Sequence, residues 1–174
     1  MSLESIRAAF RDIPDFPAPG IVFRDISPVL QDGQLFHELI DLVAAPHLSD
    51  PPDRIAAIDA RGFVFGAAVA YRLGCGLAMI RKKGKLPWKT HAISYDLEYG
   101  SNEMEIHLDA VRPGEDILVI DDVLATGGTA AAALRLVEQL GGQVRSVDFV
   151  VELVGLPGRD LLAGYTVNSL LKLD

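Results

Sequence analysis

The 174-residue sequence predicts a single α/β domain: a mostly parallel central sheet flanked by helices, with an antiparallel hairpin set into it. Three observations carry this. Short apolar runs rich in β-branched residues alternate with stretches of helical spacing. One run, Ile117-Leu118-Val119-Ile120, is apolar at every position, as a strand buried on both faces requires. No internal repeat, low-complexity tract or long linker divides residues 1–174 into smaller units.

Taken in order, residues 3–13 have helical patterning, and Asp15-Phe16-Pro17-Ala18-Pro19-Gly20 ends it with two prolines and a glycine. Ile21-Val22-Phe23 reads as an apolar turn. Leu35, Phe36, Leu39, Ile40, Leu42 and Val43 recur at helical spacing, and a proline-rich connection over 46–53 leads to a strand at 55–58. A helix over 63–73 follows, its Gly66, Ala67, Ala68 and Ala70 small enough for close packing on the sheet, and then a strand at 77–80. Residues 93–99 and 104–108 alternate in polarity around Gly100-Ser101-Asn102, the pattern of a hairpin with one exposed face. The strand at 117–120 leads into a helix over 130–140, closed by Gly141-Gly142. A strand at 144–153, a short helix near 158–162 and a last strand near 167–171 complete the order.

Composition narrows the function. A formal charge of −8 argues against a general nucleic-acid binder, which needs clustered cations. The exception is Arg81-Lys82-Lys83-Gly84-Lys85-Leu86-Pro87-Trp88-Lys89, five cations without an acid, which suits a small polyanion better than a polymer. No apolar stretch is long enough for a membrane span and Met1-Ser2-Leu3-Glu4-Ser5 lacks a leader pattern, so a soluble cytoplasmic protein is expected. The lone Cys75 and the scattered His37, His47, His91 and His107 have no metal-ligand spacing, and no protein metal cage is expected.

The densest chemistry lies in residues 117–129, where an apolar strand, paired carboxylates, a glycine turn and a helix start are contiguous. Ligands of open α/β sheets collect at such strand-to-helix junctions. Thr126-Gly127-Gly128-Thr129 offers two hydroxyls and a backbone that approaches an anion closely, with helix N–H groups aimed at it. A phosphate fits there. Asp121 and Asp122 would repel that phosphate, so they should face ribose hydroxyls or a hydrated magnesium ion. No Walker lysine follows the glycines, and Gly74-Cys75-Gly76 lacks the third glycine of a dinucleotide fingerprint.

The run 117–129 resembles the signature of the type I phosphoribosyltransferases, whose ribose donor is 5-phosphoribosyl 1-pyrophosphate (PRPP). That resemblance implies the family's fold, with Asp121 and Asp122 on the ribose, and Ala125, Thr126, Gly127, Gly128 and Thr129 around the 5-phosphate. A second anion site is then needed for the pyrophosphate. Arg61 with the amides around Gly62, joined by Arg81, Lys82 and Lys85, can supply it. Magnesium would act through substrate oxygens and water, without direct protein ligands.

Residues 16–28, 61–66, 81–87 and 94–100 extend the resemblance, in order, to the branch of this family that uses adenine. It implies conversion of adenine and PRPP to AMP and pyrophosphate, a purine salvage step, usually by a homodimer. By the same likeness, a base-pocket segment spans about 1–35, where Val22, Phe23 and the backbone around Arg24 recognise adenine while Leu124 closes the opposite face. A flap spans about 82–108; in it Glu98 handles a proton on the purine and Tyr99 stands beside it. Ala60 and Trp88-Lys89 depart from the commoner family pattern, and bear on pyrophosphate binding and flap packing. Two competing readings are transfer to another nucleobase and a non-catalytic PRPP or nucleotide sensor. The base-pocket segment and Glu98 speak against the first. The absence of a basic face speaks against the second.

Overall fold

Seven strands form the central sheet in the order β5-β6-β4-β3-β7-β8-β9, in a computed structural model that describes residues 3–97 and 100–174. β3 (Arg54–Ile58), β4 (Gly76–Lys82), β7 (Asp116–Leu124), β8 (Gln143–Leu153) and β9 (Val167–Leu173) are mutually parallel. β5 (Thr90–Leu97) and β6 (Gly100–His107) form the hairpin, and β6 joins the sheet by antiparallel pairing of Glu105 and Met104 with Arg81 and Lys82 of β4.

Apolar residues on both sides of each central strand give the sheet two cores. One face buries Ala56, Ile58, Ile80 and Val119 beneath α5 (Gly128–Gln139), whose Ala132, Ala133, Leu136 and Val137 have no exposed surface. The other buries Ile55, Ala57, Leu118 and Ile120 beneath α3 (Gly33–Ala44) and α4 (Gly62–Leu73). The small residues of α4 act as expected: a Cβ on Gly66 would stand 2.5 Å from the Ala57 Cβ, so only glycine lets this helix lie so close to β3. α3 is capped by Asp32, which accepts the Gln34 and Leu35 N–H groups.

The N-terminal segment differs from the sequence expectation. The first helix, α1, ends at Ala9 (Leu3–Ala9), and Arg11–Pro14 forms β1 rather than continuing it. The predicted turn at 21–23 is instead mostly strand: β2 (Val22–Asp25) pairs antiparallel with β1. Cross-strand charges explain both corrections, since Arg11 meets Asp25 at 2.6 Å and Arg24 meets Asp12 at 2.5 Å. A short α2 (Ser27–Gln31) follows, and Asp25 secures the corner by accepting both the Ser27 hydroxyl and N–H. These bonds, Ser27's hydroxyl first, hold the Asp25 carboxyl down to about 2.

The hairpin also differs in detail. Gly100, Ser101 and Asn102 pair with Leu97, Asp96 and Tyr95, so they belong to β6 and not to the turn. The predicted flap is continuous with the main sheet at its β6 end. Glu98 and Tyr99 lie outside the described residues.

Candidate active site

β7 runs four residues past the predicted Ile117–Ile120 segment because β8 keeps pairing with it as far as Leu124 opposite Glu152. Asp121 and Asp122 are therefore held on rigid strand. The chain then turns through Ala125 and Thr126 into Gly127, whose φ of +83° suits glycine, and α5 begins at Gly128 without a side-chain cap. α4 opens the same way, after Arg61 and without a side-chain cap, at the end of β3. Two uncapped helix starts thus flank one strand end.

Between them is a cavity of about 370 Å³ lined by Asp59, Ala60, Arg61, Asp121, Asp122 and the stretch 123–127, with Thr129 and Ala130. It gathers Arg61, Asp121, Asp122, Leu124, Ala125, Thr126, Gly127 and Thr129 from the predicted set. Gly128 supplies the first residue of α5 at its edge. Arg81 reaches the rim through Asp59, donating to its carboxylate at 3.2 Å, while another of its nitrogens holds the Lys85 carbonyl at 2.9 Å. Lys82 and Lys85 are exposed and outside the cavity walls.

The electrostatics oppose each other within a few ångströms. Burial, and next the adjacent Asp122 charge, push the Asp121 carboxyl well above the usual carboxylate range, against the pull of Arg61. The Asp122 N–H folds back onto Asp121 at 2.8 Å. Arg61 Nε lies 2.6 Å from Asp122 Oδ2, yet this buried oxygen has no directed hydrogen bond. A buried acceptor in that condition is suited to a hydroxyl or a water supplied by a ligand.

Of the residues expected to form a base pocket, Phe23 lies beside Arg61. The Arg61 guanidinium carbon lies 5.4 Å from the Phe23 ring centroid, and Phe16 packs edge-on against Phe23 at 5.3 Å. Val22 is half-exposed on the same strand. The Arg24 side chain turns to Asp12 and to the Asp174 carbonyl, at 2.6 Å from the latter, so any role toward a base falls to its backbone. Leu124 forms part of the cavity wall.

Sequence reasoning missed two supports. Glu105, buried in β6, accepts the N–H groups of Lys85 and Leu86 at 3.0 Å each and the Thr90 hydroxyl at 3.0 Å, thereby shaping the basic loop. Gly158 packs its backbone against Gly127 and Ala125, with its carbonyl oxygen 2.8 Å from where a Gly127 Cβ would stand. The excess of glycine near 155–158 was the available signal for the second. Tyr95, on the resembling segment 94–100, ties the hairpin to the 125–129 loop through its hydroxyl, 3.3 Å from Thr129 Oγ1.

A parallel sheet with paired carboxylates and an anion-ready glycine loop at one strand end defines a protein that handles a phosphorylated sugar. The phosphoribosyl transferase domain model matches residues 29–155, and the chain belongs to that family, within its adenine phosphoribosyltransferase branch. The adenine phosphoribosyltransferase of a Roseiflexus species is 54% identical over 93% of this chain and 94% of its own. The crystal structure of the Thermoanaerobacter pseudethanolicus enzyme of that name superposes with a TM-score of 0.95 at 50% identity, over 99% of this chain and 100% of that one. The Saccharomyces cerevisiae enzyme, crystallised with adenine and an imino-altritol bisphosphate, gives 0.92 at 38% identity, covering 97% and 98% of the two chains.

Proposed function

We propose that this chain transfers the 5-phosphoribosyl group of PRPP to adenine, releasing pyrophosphate and forming AMP. The observation that carries this reading is the convergence in one cavity of Asp121, Asp122, the 125–129 loop and Arg61, in a chain with the family's full-length likeness.

The 5-phosphate sits on the amides and hydroxyls of Thr126 to Thr129 at the start of α5. Asp121 and Asp122 take the ribose hydroxyls, which places the anomeric carbon toward Arg61. As the bond to pyrophosphate breaks, positive charge grows on the sugar beside two carboxylates and negative charge on the leaving group beside Arg61 and Arg81. Lys82 and Lys85, exposed on the loop beside Arg81, extend this cationic side. Adenine is held between Phe23, Val22 and Leu124, with the Arg24 backbone reading its exocyclic amine, and Glu98 exchanges a proton with the purine.

The residues fit magnesium bound through substrate and water. Asp122 Oδ2, ion-paired with Arg61 at 2.6 Å but without a directed hydrogen bond, can accept from metal-bound water. Asp121 and Asp122 would hold such a hydrated ion. When bound, it supplies neutralising charge to the pyrophosphate.

Two finer points belong to the same reading. The same reading places the enzyme in the cytoplasm; among the described residues no helix is long and apolar enough to cross a membrane. A homodimer fits an uncovered apolar face: Leu77 and Met79 on β4 share a sheet side with α4 but are 38% and 43% exposed, and Tyr71 on α4 is 92% exposed. A second copy of the chain is its natural cover.

Incubation with PRPP, magnesium and each nucleobase in turn tests the function. AMP formed from adenine alone is expected; a nucleotide from hypoxanthine, guanine, uracil or orotate would assign another acceptor, and none at all would leave a sensor.

A further inference from the structure

Gly158 opens α6 (Gly158–Leu161), a helix too short to hold its place by its own hydrogen bonds. It is fixed from the next residue. Arg159 Nε and Nη2 donate to the two carboxylate oxygens of Glu152 at 2.7 and 2.6 Å, Nη1 donates to the Val167 carbonyl at 3.1 Å, and Nη2 also reaches Ser169 Oγ at 3.2 Å. Glu152 is buried near the end of β8, directly across from Leu124. The fork therefore joins α6 to the two strands β8 and β9.

On its other side Gly158 meets the phosphate loop with no side chain between them. A Cβ on Gly158 would run into the Ala125 carbonyl and stand 2.8 Å from Leu124 Cδ1, and one on Gly127 would stand 2.9 Å from the Gly158 Cα. Where backbone presses on backbone, as Gly158 does on Ala125 and Gly127, small displacements are transmitted because no rotamer there can relax. A shift of α6 must move the carbonyl of Ala125 and the amides that follow it.

We propose that Arg159 and Glu152 are positioning residues: their forked ion pair holds Gly158 as a backstop beneath residues 125–127 and so sets the geometry of the 5-phosphate loop. This rests on the assignment of that loop to the 5-phosphate of PRPP. Neither residue lines the cavity, so neither is a catalytic residue. The strength of the fork is visible in Glu152, whose carboxyl is held down to about 2, first by its hydrogen bond from Arg159.

The test is calorimetric titration of ribose 5-phosphate into the full chain and its Arg159→Met variant, with KM for PRPP and for adenine measured beside it. Loop displacement of the order of 1 Å should raise the ribose 5-phosphate Kd and the PRPP KM by about 10- to 100-fold, with the adenine KM little changed. Arg159→Lys, which keeps the charge but not the fork, should fall between. A purely structural pair would lower Tm without this selectivity, so a ribose 5-phosphate Kd within about twofold of the parent's, or equal losses for both substrates, overturns the proposal. If Arg159→Met does not fold, Glu152→Gln decides by the same ratio. Thr126→Val with Thr129→Val separates the underlying reading: ribose 5-phosphate binding unaffected by that pair would remove the loop assignment itself.

Discussion

Asp121 is held in an environment that resists its own charge: burial and the Asp122 carboxylate both raise its pKa, and Arg61 only partly compensates. A raised carboxyl disfavours folding as the pH climbs from its ordinary value through the folded one, because the ionised form is the less stable in place. Asp121→Asn keeps an oxygen for the Asp122 N–H at 2.8 Å while removing that charge. The variant should therefore melt higher near neutral pH, by about 2–4 °C if ~1 kcal/mol is relieved in a chain of this size, and lose about 10²- to 10³-fold in kcat/KM. Differential scanning calorimetry and a steady-state AMP assay check the two halves; a lower Tm would show that Asp121 is net stabilising. The proton exchange proposed for Glu98 would be needed only once adenine is present. Glu98→Gln should retain PRPP affinity by calorimetry and lose about 10²- to 10⁴-fold in turnover, and unchanged AMP formation would remove it from the mechanism.

The 125–129 loop and the basic loop are elements whose shape comes from elsewhere in the fold. Glu105 is a buried carboxylate whose burial raises its pKa, but the N–H of Leu86, the Thr90 hydroxyl and the N–H groups of Lys85 and Gly84 outweigh that and leave it below the ordinary glutamate value. With a depressed pKa its contribution is present above the unfolded value and is lost as pH falls through the folded one. Glu105→Ala should lower stability by about 1.5–3 kcal/mol at neutral pH and weaken pyrophosphate in the reverse reaction. The thermal midpoint of the variant should also vary less between neutral and acid pH than that of the parent; equal pyrophosphate KM values would mean the loop keeps its shape unaided. Such supports explain what the sequence did and did not disclose. Thr126 to Thr129 and the aspartate pair were legible because their chemistry is contiguous. Glu105 was not, since it acts on Lys85, 20 residues away in the chain, and β1 was read as helix because its reason to be strand is charge pairing with β2.

At the scale of the molecule, the sheet's strand order was hidden for the same reason. Alternation of strands and helices announces a parallel sheet, but that β6 joins the edge beside β4 depends on two residue pairs, Arg81 with Glu105 and Lys82 with Met104. This short junction leaves most of β4 unpaired on that side; Leu77 and Met79 are exposed on the sheet side that faces α4, whose Val64 and Tyr71 are 43% and 92% exposed. The patch continues into a groove of about 290 Å³ between α3 and α4, lined by Phe36, Ile40, Ala68 and Tyr71 among others. Apolar surface of this extent is stable in water when a partner covers it, and a symmetric contact between two copies places the same strand edge and helix face against each other. Because β4 runs from this exposed stretch into Arg81 and the basic loop, such a contact also bears on the pyrophosphate side of the site. Met79→Asp sets like charges within that contact and should convert a dimer to a monomer in sedimentation velocity, with the monomer's far-ultraviolet circular dichroism unchanged since Met79 is half-exposed. A parent that sediments as a monomer at micromolar concentration, or a Met79→Asp chain that stays dimeric, would place the interface elsewhere.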